Sequence, residues 1–288
     1  MRLGELLAGY VPGPRGRDGL ALALLLRRRA GARLTVAYVR PPVWSPPGPA
    51  RAEDGAWRAY LAEQADAALA EARELAGEEA GYVVHPGRHS GRGLVELARR
   101  RSADVVVIGP APGGARGRIS VGSTADQLLH ASSVPVLLAP RGYGDEPPPD
   151  FDRLTVAYRR GPGCDAAVKD AARTAVALGL PLRLVTLVVG PARRVRAEED
   201  MLARLREQAA ADLRAAARGQ ARRLRVEVEV LEGRTVAQAL GAASWLPGEM
   251  IICASSDAGP LRRVFLGDTS LKIVRASTRP VMILTRQP

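Results

Sequence analysis

Short apolar runs alternate along the chain with segments of helical periodicity. In the first half, five runs have the length and apolar content of strands, and the run that starts at Val105 is apolar at four successive positions. A continuous apolar run is typical of a strand that is buried on both faces of a parallel sheet. The pattern therefore predicts strands near Leu6–Tyr10, Leu34–Val39, Gly81–His85, Val105–Gly109 and Val136–Ala139.

Between these runs, apolar residues recur every three or four positions, as they do on one face of a helix. In the first half this face comprises Trp57, Tyr60, Leu61, Ala65, Ala68, Leu69, Ala72 and Leu75. In the second half it comprises Leu202, Leu205, Ala209, Leu213 and Ala216. The alternation predicts βαβ units that build a parallel sheet through right-handed crossovers. Ligands of such sheets bind beyond the carboxyl ends of the strands, so the loops after the first and fourth strands are candidate sites.

The second half of the chain repeats the first. Three segments recur with one constant offset: residues 103–109 as 248–254, residues 122–124 as 267–269, and residues 131–138 as 276–283. Such self-similarity indicates two tandem copies of one domain. We predict a first copy over residues 1–141, a polar and proline-rich linker over 142–152, and a second copy over 153–288.

The net charge of +12 comes almost entirely from arginine. The arginines are scattered rather than gathered in a stripe, and aromatic residues make up only 4% of the chain, so we do not expect a nucleic-acid partner. No apolar run reaches the roughly 20 residues that span a bilayer. The amino terminus also lacks the pattern of a secretory signal. We therefore expect a cytoplasmic protein without a membrane partner.

Few residues offer catalytic or metal-binding chemistry. The chain has two cysteines, Cys164 and Cys253, and three histidines without metal-ligand spacing. His85 and His89 flank a turn. A histidine that acts as a general base needs a partner carboxylate and a nucleophile, and the sequence offers neither here, so we expect both residues to lie in a solvated loop. We therefore predict no catalytic residue, no metal site and no enzymatic activity.

The loop after the predicted fourth strand is the most informative segment. It runs from Gly109 to Thr124 as GPAPGGARGRISVGST, and a helical pattern follows. A glycine-rich loop that leads into a helix amino terminus is suited to holding phosphate, because its backbone N–H groups approach the anion closely. The alternative is a surface loop in which Ser123 caps the helix. The loop is neither the dinucleotide fingerprint nor the P-loop.

The tandem copies, the glycine-rich loop, the Gly122-Ser123-Thr124 helix start and the ASSVPV segment over residues 131–136 resemble the universal stress proteins. The resemblance extends over nearly the whole chain. It implies two tandem Rossmann-like domains, each a five-stranded parallel sheet with helices on both faces. Many members bind ATP through a loop written Gly-x2-Gly-x9-Gly-Ser/Thr, and they act as stress regulators rather than as established catalysts.

The resemblance implies a site for ATP, with Mg²⁺ if the nucleotide binds, in the first copy. There Gly109 matches the opening glycine of the loop, and Gly122 and Ser123 match its closing pair. The backbone of Val39, at the end of the second strand, is expected beside the adenine. The full set of expected nucleotide contacts is Gly109, Gly113, Gly114, Gly122, Ser123, Thr124 and Val39.

Two departures from the family pattern weaken this expectation. Pro112 stands where the second glycine belongs, and proline forbids a positive φ and lacks an N–H donor. The family also carries an aspartate just after the first strand, but this chain has Val11 and Pro12 there, and Asp18 lies too far along.

In the second copy the loop departs further, because Ala254, Asp257 and Asp268 replace two glycines and the hydroxyl residue. We expect no nucleotide there.

Two hypotheses about function therefore stay open. In the first, the chain is a non-catalytic stress-response regulator whose first copy binds ATP weakly. In the alternative, it is a nucleotide-independent scaffold of the same fold that acts through protein partners. The resemblance further implies a homodimer or an intramolecular pairing of the two domains, with the final strand from Val281 to Thr285 pairing across the interface.

Overall fold

The computed structural model describes residues 2–42, 51–190, 196–220, 224–255 and 268–285. Strands and helices alternate through both copies, as the sequence predicts. The first copy comprises β1 (Glu5–Gly9), α1 (Pro14–Ala30), β2 (Arg33–Arg40), α2 (Arg51–Ala76), β3 (Gly81–Pro86), α3 (Ser90–Arg100), β4 (Val105–Ile108), α4 (Ser123–Ala131) and β5 (Val136–Leu138). The second comprises β6 (Arg153–Ala157), α5 (Pro162–Leu178), β7 (Leu182–Val189), α6 (Arg196–Arg218), β8 (Val226–Gly233), α7 (Val236–Ala242), β9 (Glu249–Ala254), α8 (Asp268–Ala276) and β10 (Val281–Leu284).

Local sequence explains where the corresponding helices α1 and α5 begin and end. Each starts with a proline, Pro14 or Pro162, at a position where the missing N–H removes no intrahelical hydrogen bond. Each ends at a glycine in the left-handed region, with φ of 62° at Gly31 and 63° at Gly179. The two copies therefore share the same start and stop signals.

All ten strands lie in one sheet, in the order β3-β2-β1-β4-β5-β10-β9-β6-β7-β8. Within each copy the five strands are parallel, which confirms the predicted fold class. The copies join where β10 pairs antiparallel with β5, with Val281 opposite Leu138 and Ile283 opposite Val136. The final strand thus pairs across an interface between the two copies of the same chain.

Helices cover both faces of the sheet, as predicted. On one face, α1, α2, α5 and α6 pack against a core that includes Leu22, Leu26, Leu154 and Leu213. On the other, α3, α4, α7 and α8 pack against a core that includes Leu97, Leu128, Leu240 and Ile273. Burial on both sides explains why β4 is apolar throughout. Within the described ranges, no helix combines the length and hydropathy that crossing a bilayer requires.

The apolar face of α2 is narrower than the periodicity predicts. Leu61 and Leu69 are buried in the core, but Trp57 and Tyr60 are about half exposed. Their rings stack with centroids 5.5 Å apart. Leu75, at the other end of the predicted face, is also exposed. The amino-terminal part of α2 therefore presents an aromatic pair at the surface.

The proline-rich segment between the copies packs against them. The buried carboxylate of Asp18 on α1 accepts hydrogen bonds from the backbone N–H groups of Gly142 (2.9 Å) and Gly144 (2.8 Å). Tyr143 and Phe151 are buried in the core. Asp18 therefore holds the connecting segment rather than lying beside a nucleotide. The boundaries at residues 141 and 153 stay a prediction.

Candidate functional site

A cavity of about 230 Å³ lies beyond the carboxyl ends of β1 and β4. In the sheet order β3-β2-β1-β4-β5, the chain turns in opposite directions from these two neighbouring strands. Their loops therefore diverge and leave a crevice, which is the usual ligand position in an open parallel sheet. The cavity is lined by both loops that the sequence indicated, those after the first and fourth strands.

One wall of the cavity is apolar and the opposite one is polar backbone. The apolar wall is formed by Ala37, Val39, Leu94 and Ile108. Arg15, in the first turn of α1, is the one charged residue among the described residues that line the cavity, and no carboxylate is among them. The electrostatic balance of the lining therefore favours an anionic ligand with an apolar portion.

The structure brings five of the seven expected contact residues to this cavity. Val39, Gly109, Gly122, Ser123 and Thr124 all line it.

Gly113 and Gly114 are not among the lining residues. They form the turn beyond Pro112, with positive φ values of 76° and 84°. The hydroxyl of Ser120 donates to the Gly113 carbonyl oxygen (3.1 Å), which holds this turn across the loop. Pro112, which stands where the family pattern has its second glycine, lines the cavity. The positive φ values that glycine allows occur one and two residues later, at Gly113 and Gly114.

Close packing explains two of the loop glycines. A Cβ atom at Gly109 would lie 1.8 Å from the Arg15 carbonyl oxygen, so this glycine allows α1 to approach β4. A Cβ at Gly122 would lie 2.7 Å from the Cβ of Ala111 on the other side of the loop. Both glycines are thus required by the shape of the site itself.

The helix α4 begins at the cavity with its first turn uncapped by a side chain. Gly122 is the extended N-cap residue, and no side chain accepts a hydrogen bond from the first turn. Ser123 therefore does not cap the helix, which counts against the alternative of a plain capped surface loop. The first N–H groups of a helix have no intrahelical acceptor and carry the positive end of its dipole, so this end of the cavity suits an anion.

Tyr10 lines the cavity, and its buried hydroxyl lies close to Glu71 of α2. Burial raises the pKa of Tyr10, and the nearby carboxylate of Glu71 raises it further. Glu71 also accepts a hydrogen bond from the backbone N–H of Gly13 (3.1 Å), which ties α2 to the loop after β1. This contact keeps the Glu71 carboxylate engaged with the backbone of the loop.

The sequence analysis did not identify several of the residues that line the cavity. Arg15 and Gly16 follow the first strand closely, so the strand-end rule could have included them. Ser90 and Leu94 come from α3, which no local pattern connects with the phosphate loop. The sheet topology alone brings α3 and α4 side by side.

His85 is buried rather than solvated. It is the penultimate residue of β3, and its side chain Nε2 lies 3.2 Å from Glu96 Oε2 on α3. The prediction of a solvated loop at this residue was therefore wrong, because a strand end packed against a helix is not exposed. Within the described ranges, no group of three or more His, Cys, Asp or Glu residues is arranged to hold a metal ion.

The second copy differs at the corresponding positions. Ala254 stands at the end of β9, where β4 is followed by Gly109, and Asp268 begins α8, where Ser123 begins α4. Asp268 forms an ion pair with Lys272 one turn later (2.5 Å). Asp257 lies outside the described residues.

Comparison with known proteins identifies the sequence family. The sequence model of the universal stress protein family matches residues 11–140 and 150–285. A universal stress protein of Mycobacterium tuberculosis is 34% identical over 293 residues, which cover 97% of this chain and 99% of the relative. A universal stress protein of Mycobacterium bovis gives the same figures.

Two solved structures share the fold over the whole length. A universal stress protein of Archaeoglobus fulgidus has a TM-score of 0.64 and 18% identity, with complete coverage of both chains. A protein of Pseudomonas aeruginosa described as functionally unknown has a TM-score of 0.55 and 14% identity, over 98% of this chain and 92% of its own. At these identities the likeness concerns the fold alone.

Proposed function

Because this chain belongs to the universal stress protein family, we propose that it is a non-catalytic stress-response regulator whose first copy binds ATP weakly. The observation that carries this proposal is the cavity at the carboxyl ends of β1 and β4. There the uncapped start of α4, two closely packed loop glycines and Arg15 face one space without a lining carboxylate.

The lining residues fit the parts of a nucleotide. The backbone N–H groups at Ser123 and Thr124, together with Gly109 and Gly122, are suited to the phosphates. Val39 and Leu94 offer the apolar surface that a purine ring requires. Arg15 also lines the cavity, and its guanidinium is suited to pairing with phosphate oxygens. Mg²⁺ is expected to arrive with the nucleotide.

Two features argue for weak binding. The cavity of about 230 Å³ is smaller than the roughly 300–1,000 Å³ of most ligand sites, so the nucleotide must displace the loop in part. Pro112 lines the cavity without an N–H donor. This loop is therefore expected to provide less binding free energy than a loop that matches the family pattern fully.

A route from the site to the second copy exists in the same loop. The backbone N–H of Gly117 donates to the Arg141 carbonyl oxygen (2.8 Å), and the Arg141 N–H donates to the Arg118 carbonyl oxygen (3.0 Å). The Arg118 guanidinium in turn donates to the Ala276 carbonyl oxygen at the end of α8. A nucleotide that prefers one arrangement of the loop would therefore shift the population of arrangements at the junction between the copies.

The alternative is a scaffold that works through protein contacts without a nucleotide. The exposed, stacked pair of Trp57 and Tyr60 favours it, since aromatic side chains are enriched at protein interfaces. The missing aspartate after β1 and the proline at 112 favour it as well.

Calorimetric titration with ATP and Mg²⁺ separates the two hypotheses. We expect micromolar affinity, about −8 kcal/mol, in the unmodified protein. Ser123→Asp should weaken binding by about a hundredfold, because a carboxylate would face the phosphates. Aspartate suits the first turn of a helix, so α4 should persist.

Asp268→Ser provides the matched control, because it makes the reverse exchange at the start of α8. It should leave the affinity unchanged. The nucleotide hypothesis is wrong if the unmodified protein shows no binding up to millimolar ATP, or if both variants behave alike.

A further inference from the structure

A second cavity, of about 300 Å³, opens between the two copies. We call it the interdomain cleft. Its walls come from three parts of the chain: the turn at residues 116–117, the connecting segment over residues 140–148, and residues 247 and 278–280 of the second copy. None of its lining residues belongs to the cavity beyond β1 and β4. The interdomain cleft is therefore a separate space.

Three arginines line the interdomain cleft against one carboxylate. Arg116, Arg141 and Arg279 are among its lining residues, and Glu146 is the single acidic one in the described part of the chain. Arg116 also forms an exposed ion pair with Asp145 through Nη1 (2.9 Å). The Arg116 side chain packs beside Gly142: a Cβ added at Gly142 would lie 3.3 Å from Arg116 Cγ and 3.4 Å from its guanidinium.

The other two guanidiniums are oriented by backbone carbonyls. Arg141 donates from Nη1 to the Gly114 carbonyl oxygen (3.1 Å), and Arg279 donates from Nη2 to the Trp245 carbonyl oxygen (3.4 Å). Each guanidinium carries five N–H donors, so these contacts use a minority of them. Carbonyl contacts orient an arginine without neutralising its charge. The interdomain cleft therefore keeps a surplus of positive charge.

Two residues that line the interdomain cleft each carry a buried donor without an acceptor beside it. Among the described residues, neither the hydroxyl of Tyr143 nor Nε of Arg279 has a hydrogen-bond partner, although both atoms are buried. Burial raises the pKa of Tyr143, while the charge of Arg279 acts in the opposite direction, so the hydroxyl and the guanidinium share one environment. A buried donor without an acceptor costs about 1–3 kcal/mol, so each of these groups would gain from a bound acceptor.

We propose that the interdomain cleft binds a small phosphate-containing anion through Arg116, Arg141, Arg279 and the Tyr143 hydroxyl. Guanidinium groups pair with phosphate oxygens in a bidentate geometry, and several of them around one space match a multiply charged anion better than a single carboxylate. A volume of about 300 Å³ suits inorganic phosphate or pyrophosphate.

The anion would connect parts of the molecule that meet only at this junction. Arg116 belongs to the turn of the glycine-rich loop, Tyr143 to the connecting segment, and Arg279 to the segment just before β10. A bound anion would therefore stabilise the packing of the two copies against each other. This inference is independent of the proposed nucleotide site, because the two cavities share no lining residue.

Titration calorimetry with pyrophosphate, in a low-salt buffer with chloride as the only other anion, tests the proposal. We expect saturable binding of pyrophosphate, with one pyrophosphate per chain bound in a Gly122→Glu variant that blocks the other cavity. Tyr143→Phe removes only a hydroxyl that has no partner in the described structure, so folding should be unaffected while the affinity falls by about tenfold. Arg279→Gln should lower the affinity by at least as much.

Arg225→Gln is the matched charge control. Arg225 is exposed and pairs with Glu227 (3.1 Å), much as Arg116 pairs with Asp145, but it lies next to the edge strand β8. It should leave pyrophosphate affinity unchanged, whereas Arg116→Gln should lower it. Equal losses in the two variants would mean general attraction to a chain of net charge +12, and would overturn the proposal.

A Gly122→Glu variant distinguishes pyrophosphate binding at the interdomain cleft from binding at the proposed nucleotide site. Pyrophosphate binding should persist in it, because Gly122 lines only the other cavity. Loss of pyrophosphate binding in Gly122→Glu, or unchanged binding in Tyr143→Phe and Arg279→Gln, would assign the anion to the nucleotide site and contradict the proposal. Absence of binding up to millimolar pyrophosphate would contradict it directly.

Discussion

The two copies share one fold but differ in chemistry at both ends of their strands. At the carboxyl ends, the first copy has small residues around an open cavity, whereas the second has Ala254 in place of Gly109 and Asp268 in place of Ser123. Cys164 occupies the third position of α5, where Gly16 occupies the third position of α1. Differences at a few positions beside the corresponding strands therefore separate a candidate binding copy from its partner.

At the amino ends of the strands, the second copy carries the polar network and the first copy has the simpler arrangement. In the second copy, the fully buried Glu249 pairs with Arg153 (2.9 Å) and with Arg183 (2.8 Å), and the Arg183 guanidinium lies over the Trp245 ring at 4.5 Å. The corresponding residue of the first copy is Asp104, whose carboxylate accepts the backbone N–H groups of Gly4 and Glu5 as its hydrogen bonds within the described residues. The second copy thus contains a buried network of charged side chains at the position where the first has a carboxylate bound to two backbone N–H groups.

The largest expected difference between the copies concerns these two carboxylates. Glu249→Gln should destabilise the protein by about 3 kcal/mol, the low end for a broken buried pair, because it removes the carboxylate that Arg153 and Arg183 share. Each guanidinium then keeps one partly exposed partner, Glu227 or Glu229. Asp104→Asn preserves shape in the same way and should cost only about 1 kcal/mol, since the site is partly exposed. Urea unfolding of both variants measures the difference. Equal losses of stability would contradict the importance of the buried network.

A smaller difference is expected at the ends of β4 and β9. Gly109→Ala should cost about 1–3 kcal/mol, because the new Cβ would overlap the Arg15 carbonyl oxygen and push α1 away from the sheet. The reverse exchange in the second copy, Ala254→Gly, should cost below about 1 kcal/mol, since it only adds freedom to the unfolded chain. Thermal and urea unfolding compare the two. A stable Gly109→Ala variant would show that the loop needs glycine only for a ligand.

The smallest expected effect concerns the pH dependence of stability. Burial raises the pKa of Cys253 from 9.0 to about 12 in the fold, and Cys164 adds to the shift. The unfolded chain therefore loses this proton first, so the contribution of Cys253 is complete below pH 9 and declines as pH rises toward 12. Ionisation of Cys253 in the unfolded chain should lower the free energy of unfolding by about 1 kcal/mol between pH 8 and pH 10.

Cys253→Val tests this pH dependence. The corresponding residue of the first copy is Ile108, which does not titrate, so the variant makes the two strand ends alike. It should change stability little at pH 7 and should flatten the decline between pH 8 and 10. Tyrosines of the unfolded chain also begin to ionise as the pH approaches 10, but they do so equally in both proteins, so the difference between the two pH profiles isolates Cys253. An unchanged pH profile would assign the decline to other groups.

The candidate site shows how far sequence reasoning extends. The glycine-rich loop and the helix start at Ser123 were found because the motif is continuous in sequence and chemically suited to phosphate. Gly113 and Gly114 were placed at the site by the same motif, but the loop turns at Pro112 and carries them away from the cavity. Ser90 belongs to α3, whose position depends on the order of the strands rather than on its own residues.

The amino-acid sequence is sufficient to predict the two copies, the alternation of strands and helices, and the parallel arrangement within each copy. These properties follow from the spacing of apolar residues and from local signals such as Pro14 and Gly31, which act over a few positions. The folded chain is needed to see the antiparallel pairing of β5 with β10, the burial of Asp18 against the connecting segment, and the convergence of Arg116 and Arg279 in the interdomain cleft. Such contacts join residues more than a hundred positions apart, and no local periodicity encodes which distant polar group will satisfy a buried one.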